Sequence, residues 1–127
     1  AGKTSQLKVF GDNYPTPDGT CIRDYIHVND LASAHILAGE YLQQNDGAFA
    51  FNLGNGNGFS VLQVIEAAKQ VVQQDIAFSV EAPRVGDPST LVADSTRARK
   101  VLGWQPVYKD IASIIATAWT WHQHEKF

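Results

Sequence analysis

Ala48-Phe49-Ala50-Phe51-Asn52-Leu53-Gly54-Asn55-Gly56-Asn57-Gly58-Phe59-Ser60-Val61-Leu62-Gln63 is the stretch whose reading decides the fold. Ala48 to Leu53 is a short apolar run with aromatic residues, suited to a strand covered on both faces. The alternating glycines and asparagines then impose a turn. Ser60 and Gln63 form a capping box, and Val61, Val64, Ile65, Ala68 and Val72 follow as the buried stripe of a helix. Strand, turn and helix in direct succession belong to a layered α/β structure.

Working outward, Gln6 to Phe10 reads as a strand and Asp12 to Thr20, with two prolines and Asp18-Gly19, as a turn-rich loop. Asp24 to Val28 reads as a second strand. Asn29 is a suitable N-cap for a helix with Leu31, Ala34, Ala38 and Leu42 on one side. Beyond the central stretch, a strand at Ile76 to Val80 leads into the loop Pro83 to Asp87. A helix from Asp94 to Leu102 is stopped by Gly103, and another runs from Asp110 to about Gln123 with Ile111, Ile114, Ile115 and Ala118 inward. Trp104, Trp119 and Trp121 are expected as core or interface anchors.

The chain has 127 residues, 44% of them hydrophobic, which suffices for one domain-sized core. A net charge of -3 with scattered lysines and arginines forms no basic stripe, so nucleic acid is not the expected partner. No apolar run approaches the roughly 20 residues that span a bilayer. The single cysteine, Cys21, has no neighbouring cation in sequence to activate it, and it reads as a packed residue of a protein in a reducing cytosol. His122 and His124 are two apart and cannot share a metal on one helix, so no metal is expected.

The glycine run resembles a dinucleotide fingerprint only in part. After Gly54 and Gly56 the third glycine should stand at 59, where Phe59 sits, so a structural turn is the better reading. His27 reads as a buried interface residue. Chemistry concentrates instead in two distant segments, Arg23-Asp24-Tyr25-Ile26-His27-Val28 and Pro83-Arg84-Val85-Gly86-Asp87. Each supplies an arginine, whose planar fork suits the oxygens of a diphosphate. Asp87 offers an acceptor for a ribose diol, and Gly86 lets the backbone turn. Taken singly, Arg23 is more often a surface partner of Asp24 or Asp30 than a ligand contact, and Arg84 alone reads similarly.

These segments, with Leu7 to Thr20, Phe51-Asn52-Leu53-Gly54, Val101-Leu102-Gly103-Trp104 and Ala118-Trp119-Thr120-Trp121-His122, resemble the C-terminal part of the UDP-glucose 4-epimerase family, extended members of the short-chain dehydrogenase/reductase superfamily. The resemblance covers nearly the whole chain. It implies late Rossmann strands and helices plus the small α/β substrate-binding domain across residues 1–127, with the N-terminal NAD-binding Rossmann portion lying outside the chain. The family's Tyr-x-x-x-Lys pair is not found here: four residues beyond Tyr14, Tyr25, Tyr41 and Tyr108 stand Asp18, Asn29, Asn45 and Ala112. No catalytic residue is therefore assigned, and the chain alone is expected to be inactive.

The resemblance also implies site roles. The segment Lys8, Val9 and Phe10 meets the uracil, Arg23 and Arg84 the diphosphate, and Tyr25 and Asp87 the ribose region. Leu91 falls where the family walls its hexose pocket, with a packed strand residue as the alternative. Where the family has Pro-Arg-Arg-x-Gly-Asp, this chain is shorter by one residue, and the R-x-x-D spacing falls on Arg84. The implied activity is NAD-dependent interconversion of UDP-galactose and UDP-glucose, in a cytoplasmic homodimer. A related nucleotide-sugar dehydratase or reductase would use the same clamp, and a stand-alone nucleotide-binding or interaction module is the third possibility.

Overall fold

The computed structural model describes residues 6–124. Among the described residues, two small sheets are packed with four helices in an α/β arrangement. Strand β1 (Leu7–Phe10) pairs in parallel with β4 (Phe78–Glu81), Leu7 opposite Phe78 and Phe10 opposite Glu81. The second sheet has β2 (Ile22–Asp24) at its centre, antiparallel to β3 (Gly58–Ser60) and parallel to β5 (Thr90–Leu91). Its register places Arg23 opposite Phe59 on one side and Leu91 on the other.

Helix α1 (Val28–Leu42) packs against α3 (Thr96–Leu102), and α2 (Val61–Val72) against α4 (Ile111–Gln123). The capping box of α2 forms as the sequence predicts: Gln63 N donates to Ser60 Oγ at 3.1 Å, and Ser60 N donates to Gln63 Oε1 at 2.8 Å. Gly103 ends α3 in the left-handed region at φ 68°, and Asp110 caps α4 by accepting from Ser113 N at 2.8 Å.

The core gathers Ala34, Ala98, Leu102 and Trp104, with Leu37, Ala38, Tyr41, Phe51 and Leu53 against it. Small alanines on facing helices let Trp104 lie fully buried between them. Its indole N–H donates to Asp30 O at 2.9 Å and Ser33 Oγ at 3.2 Å. The buried Asp30 carboxylate accepts from Val107 N and Tyr108 N, each at 2.9 Å, and fastens the segment after Trp104 to the first turn of α1. Of the three tryptophans, Trp104 is the anchor, whereas Trp121 is 63% exposed.

Three local expectations are corrected. The second strand is Ile22–Asp24 rather than Asp24 to Val28, because the chain leaves the sheet to begin α1. The cap of α1 is His27 rather than Asn29: Nδ1 of His27 accepts from Asn29 N at 3.0 Å. Nδ1 therefore carries no proton, so Nε2 donates to Thr117 Oγ1 at 2.8 Å, while the ring stacks on Tyr108 at 3.7 Å. Burial of His27 is as expected from the sequence. Ala48 to Leu53 pairs with no strand among the described residues. Its alternation survives all the same, since Phe49, Phe51 and Leu53 are half-buried while Ala48, Ala50 and Asn52 face outward.

Candidate functional site

The glycine-rich turn after Leu53 offers backbone N–H groups in the place where a dinucleotide fingerprint would stand. Asp24, the last residue of β2, points its carboxylate into it and accepts from Asn55 N at 3.0 Å, Gly56 N at 3.4 Å and Ala93 N at 3.2 Å. A cradle of backbone N–H groups is a place where anions bind. Here the anion is the protein's own. A Cβ at Gly54 would stand 2.3 Å from Asp24 Oδ2 and 2.8 Å from Ala93 Cβ, so the glycine is required by the close approach of these groups. The turn does not fit the pyrophosphate of a dinucleotide, and it serves to join the β2 end, the α2 approach and the segment before α3.

The two arginines read from the sequence do come together. Arg84, Val85, Gly86 and Asp87 form a tight turn closed by Asp87 N donating to Arg84 O at 3.2 Å, with Gly86 at φ 82°. A positive φ at the third residue of such a turn is what glycine supplies. Nothing would crowd a Cβ at Gly86, so conformation and not space selects it. The turn brings Arg84 Nε and Nη2 to Asp87 Oδ2 at 3.1 and 2.9 Å. On the other carboxylate oxygen, Asp87 Oδ1 accepts from Arg23 Nη2 at 2.7 Å across 64 residues of sequence. Neither Asp24 nor Asp30 pairs with Arg23; Asp24 fills the glycine turn and Asp30 holds the backbone after Trp104.

Other elements hold this group in place. Arg23 Nη1 donates to Ile22 O at 2.7 Å, so its guanidinium is tied to the strand as well as to Asp87. Arg84 lies over the Phe10 ring at 4.8 Å, a distance at which a cation is attracted to an aromatic face. Gly11 N donates to Glu81 O at 2.9 Å, extending the β1–β4 pairing. A Cβ at Gly11 would press on Tyr14 Cε2 at 2.5 Å and Pro83 Cγ at 3.1 Å, so this glycine lets the Pro83 loop close over the end of β1.

Of the remaining predicted site residues, Val9 is buried in β1 with 1% exposure, and its backbone is the part available at that strand. Lys8 is exposed and lies 3.9 Å from Glu81. Leu91 is 60% exposed and lies outside the core around Trp104; in β5 it stands next to Arg23 on the same face. Tyr25 follows β2, and its carbonyl accepts from Asn55 Nδ2 at 2.6 Å.

Burial by itself would raise the Asp87 carboxyl. The hydrogen bonds from Arg23 and Arg84, with their charges, outweigh it and hold the group below the ordinary carboxylate range. Burial pushes the Tyr25 phenol up, opposed by the charge of Arg23.

Tyr14 has no counterpart among the residues singled out from the sequence. Its hydroxyl is buried beside the Cys21 thiol, and burial raises its pKa, aided by Cys21 and by Asp87 and opposed by Arg23. The sequence signal for it is slight: one aromatic in a proline-rich loop, three residues after a glycine. Asp18 reads in sequence only as a turn residue, yet its carboxylate accepts from Thr20 N at 2.9 Å, Thr20 Oγ1 at 2.8 Å and the Ser60 hydroxyl. It thereby fixes the loop before β2 to the start of α2.

Comparison with known proteins gives this geometry its context. The model of the NAD dependent epimerase/dehydratase family matches residues 1–54. A UDP-glucose 4-epimerase from Lacticaseibacillus casei is 52% identical over 98% of this chain, which spans 38% of that protein. A solved UDP-glucose 4-epimerase shares 48% identity with a TM-score of 0.92, over 98% of this chain and 38% of its own. Another, from Bifidobacterium longum and solved in complex with NAD+ and UDP, is 38% identical with a TM-score of 0.87, over 97% of this chain and 36% of its own. In sequence and in fold, the chain is similar along nearly all its length to rather more than a third of a UDP-glucose 4-epimerase, and its first 54 residues match the NAD dependent epimerase/dehydratase family.

Proposed function

We propose that this chain is the UDP-sugar-holding portion of a UDP-glucose 4-epimerase, which interconverts UDP-galactose and UDP-glucose. The observation that carries the proposal is the convergence of Arg23 and Arg84 on Asp87 beside the exposed Leu91. In this reading the β1 backbone from Lys8 through Phe10 meets the uracil. Arg23 and Arg84 bind the diphosphate, Tyr25 and Asp87 meet the ribose region, and Leu91 walls the hexose pocket. NAD and the proton-transferring groups are supplied by protein outside this chain, since the glycine-rich turn is filled by Asp24. The solved relative from Bifidobacterium longum, which holds NAD+ and UDP together, supports the pairing of that cofactor with this nucleotide. The setting is a cytoplasmic homodimer.

The chemistry asked of these residues is anchoring. An epimerase must present both faces of the sugar carbon in turn while the nucleotide stays put, so the holding groups belong on the part of the substrate that does not react. Two guanidiniums on the diphosphate meet that need with directional, charge-assisted bonds. The chain alone would therefore bind and position without turnover.

Calorimetric titration of the intact protein with UDP and with UDP-glucose tests the clamp. Arg23→Ala and Arg84→Ala should each weaken binding by about 1.5 to 3 kcal/mol, the range for hydrogen bonds to charged groups. Unchanged affinity in both variants sinks the assignment. If the intact protein forms no UDP-glucose from UDP-galactose with NAD present, the epimerase reading falls.

A further inference from the structure

Asp87 engages both arginines at once, and it does so from the sheltered side. One carboxylate oxygen takes Arg23 and the other takes two nitrogens of Arg84. The Asp87 side chain is 18% exposed against 62% for Arg84, so the carboxylate sits behind the guanidinium that faces outward. Arg23, at 21%, is sheltered with it. The turn at Gly86 and the hydrogen bond from Asp87 N to Arg84 O fix the carboxylate in turn.

On the reading that this face holds a UDP-sugar, we propose that Asp87 is a positioning residue for the diphosphate, locking Arg23 and Arg84 into a single receptor and acting on the phosphates through them. Two effects of the carboxylate oppose each other. Its negative charge repels a phosphate, about fivefold in affinity at 4 Å through bulk water and more in a sheltered site, but the carboxylate lies against two guanidiniums whose combined charge exceeds its own. Against this, two long side chains left free would have to be immobilised when the ligand binds, at a cost of about 5- to 150-fold in affinity. The three groups together still present a net positive charge to the ligand, and their ordering adds to it. This role is distinct from a direct contact to the ribose, because it concerns only ligands that carry phosphate.

The test is a ligand series in the intact protein: uridine, UDP and UDP-glucose, titrated into the parent, Asp87→Asn, Arg84→Ala and the double variant. Asp87→Asn should weaken UDP and UDP-glucose about tenfold more than it weakens uridine, whose loss reads the ribose contact alone. Because Asp87 acts through Arg84, the double variant should lose far less than the product of the single losses. Asp87→Glu, which keeps the charge but displaces the oxygens, should show a smaller loss that is again greater for the phosphate-bearing ligands than for uridine. It also serves as the second reading if Asp87→Asn fails to fold. Equal losses for uridine and UDP, or multiplicative losses in the double variant, overturn the proposal and leave Asp87 a ribose contact. A parent protein that binds neither UDP nor UDP-glucose overturns the UDP-sugar reading on which the proposal rests.

Discussion

Replacing Asp24 by alanine should unfasten the glycine-rich turn, and the structure sets the size of the effect. The carboxylate accepts from Asn55 N at 3.0 Å and Ala93 N at 3.2 Å, while Gly56 N at 3.4 Å is too long to count for much. Asn55 is 6% exposed, so its freed N–H has little access to water. Two charge-assisted bonds at about 1.5 to 3 kcal/mol each give an expected loss of about 3 to 6 kcal/mol. Amide hydrogen exchange reads this locally, with protection at Asn55 and Ala93 falling together, and urea unfolding reads it globally. Added inorganic phosphate should restore part of the protection in Asp24→Ala and none in the parent, since only the variant offers an unfilled cradle of N–H groups. Unchanged exchange at both amides, or a stability loss below about 1 kcal/mol, would refute the view that this carboxylate holds the turn.

Leu91→Ala should raise activity on UDP-N-acetyl sugars relative to UDP-glucose in the intact protein with little change in melting temperature, because the side chain is 60% exposed. A loss of about 2 to 5 kcal/mol in stability without any gain in breadth would mark it as a packing residue instead. Asp18 and Asp87 both titrate below their ordinary 3.8 in the folded chain: burial would raise each, but hydrogen bonds from Ser60 and Thr20, and from Arg23 and Arg84, lower them. Their stabilisation is therefore complete above 3.8 and lost as pH falls through the lower folded values. Urea midpoints taken from about pH 6 to about pH 2 should show that loss, and Asp18→Asn should flatten it. The isolated chain should self-associate through apolar side chains it leaves in solvent, among them Val28 at 70%, Ile36 at 64% and Leu42 at 53% exposed. Sedimentation over a dilution series checks this, and a monomer at every concentration counts against it.

Much of the framework is legible in the sequence because its signals are local. A capping box, a glycine stop and a helical stripe each depend on residues within a turn or two, and α2, α3 and α4 begin or end within about two residues of their predicted bounds. The strands are less legible. β3 and β5 have three and two residues, too few for any periodicity, and exist only because β2 lies between them. Ala48 to Leu53 shows the converse: its pattern is that of a strand, yet a strand also needs a neighbour, and among the described residues it finds none. His27 as a cap lies outside the usual preference for serine, threonine, aspartate and asparagine, so the rule selects Asn29, two residues on.

At the site, the arginines can be picked out from the sequence and their partner cannot. Adjacent charges such as Arg23 and Asp24 invite pairing, but successive side chains of a strand point to opposite faces. That alternation sends Arg23 to the face it shares with Phe59 and Leu91, and sends Asp24 into the glycine turn behind it. The same rule excludes a pair between neighbours in β2 and leaves Arg23 in need of an anion from elsewhere. Asp87 meets that need only because the Pro83 loop is brought over the end of β1 by the β1–β4 pairing and by the close approach of Pro83 to Gly11. The identity of the clamp is thus a matter of residue types, readable along the chain, whereas its closure is a matter of path, fixed by a parallel strand pair whose members lie on either side of α1 and α2 in sequence.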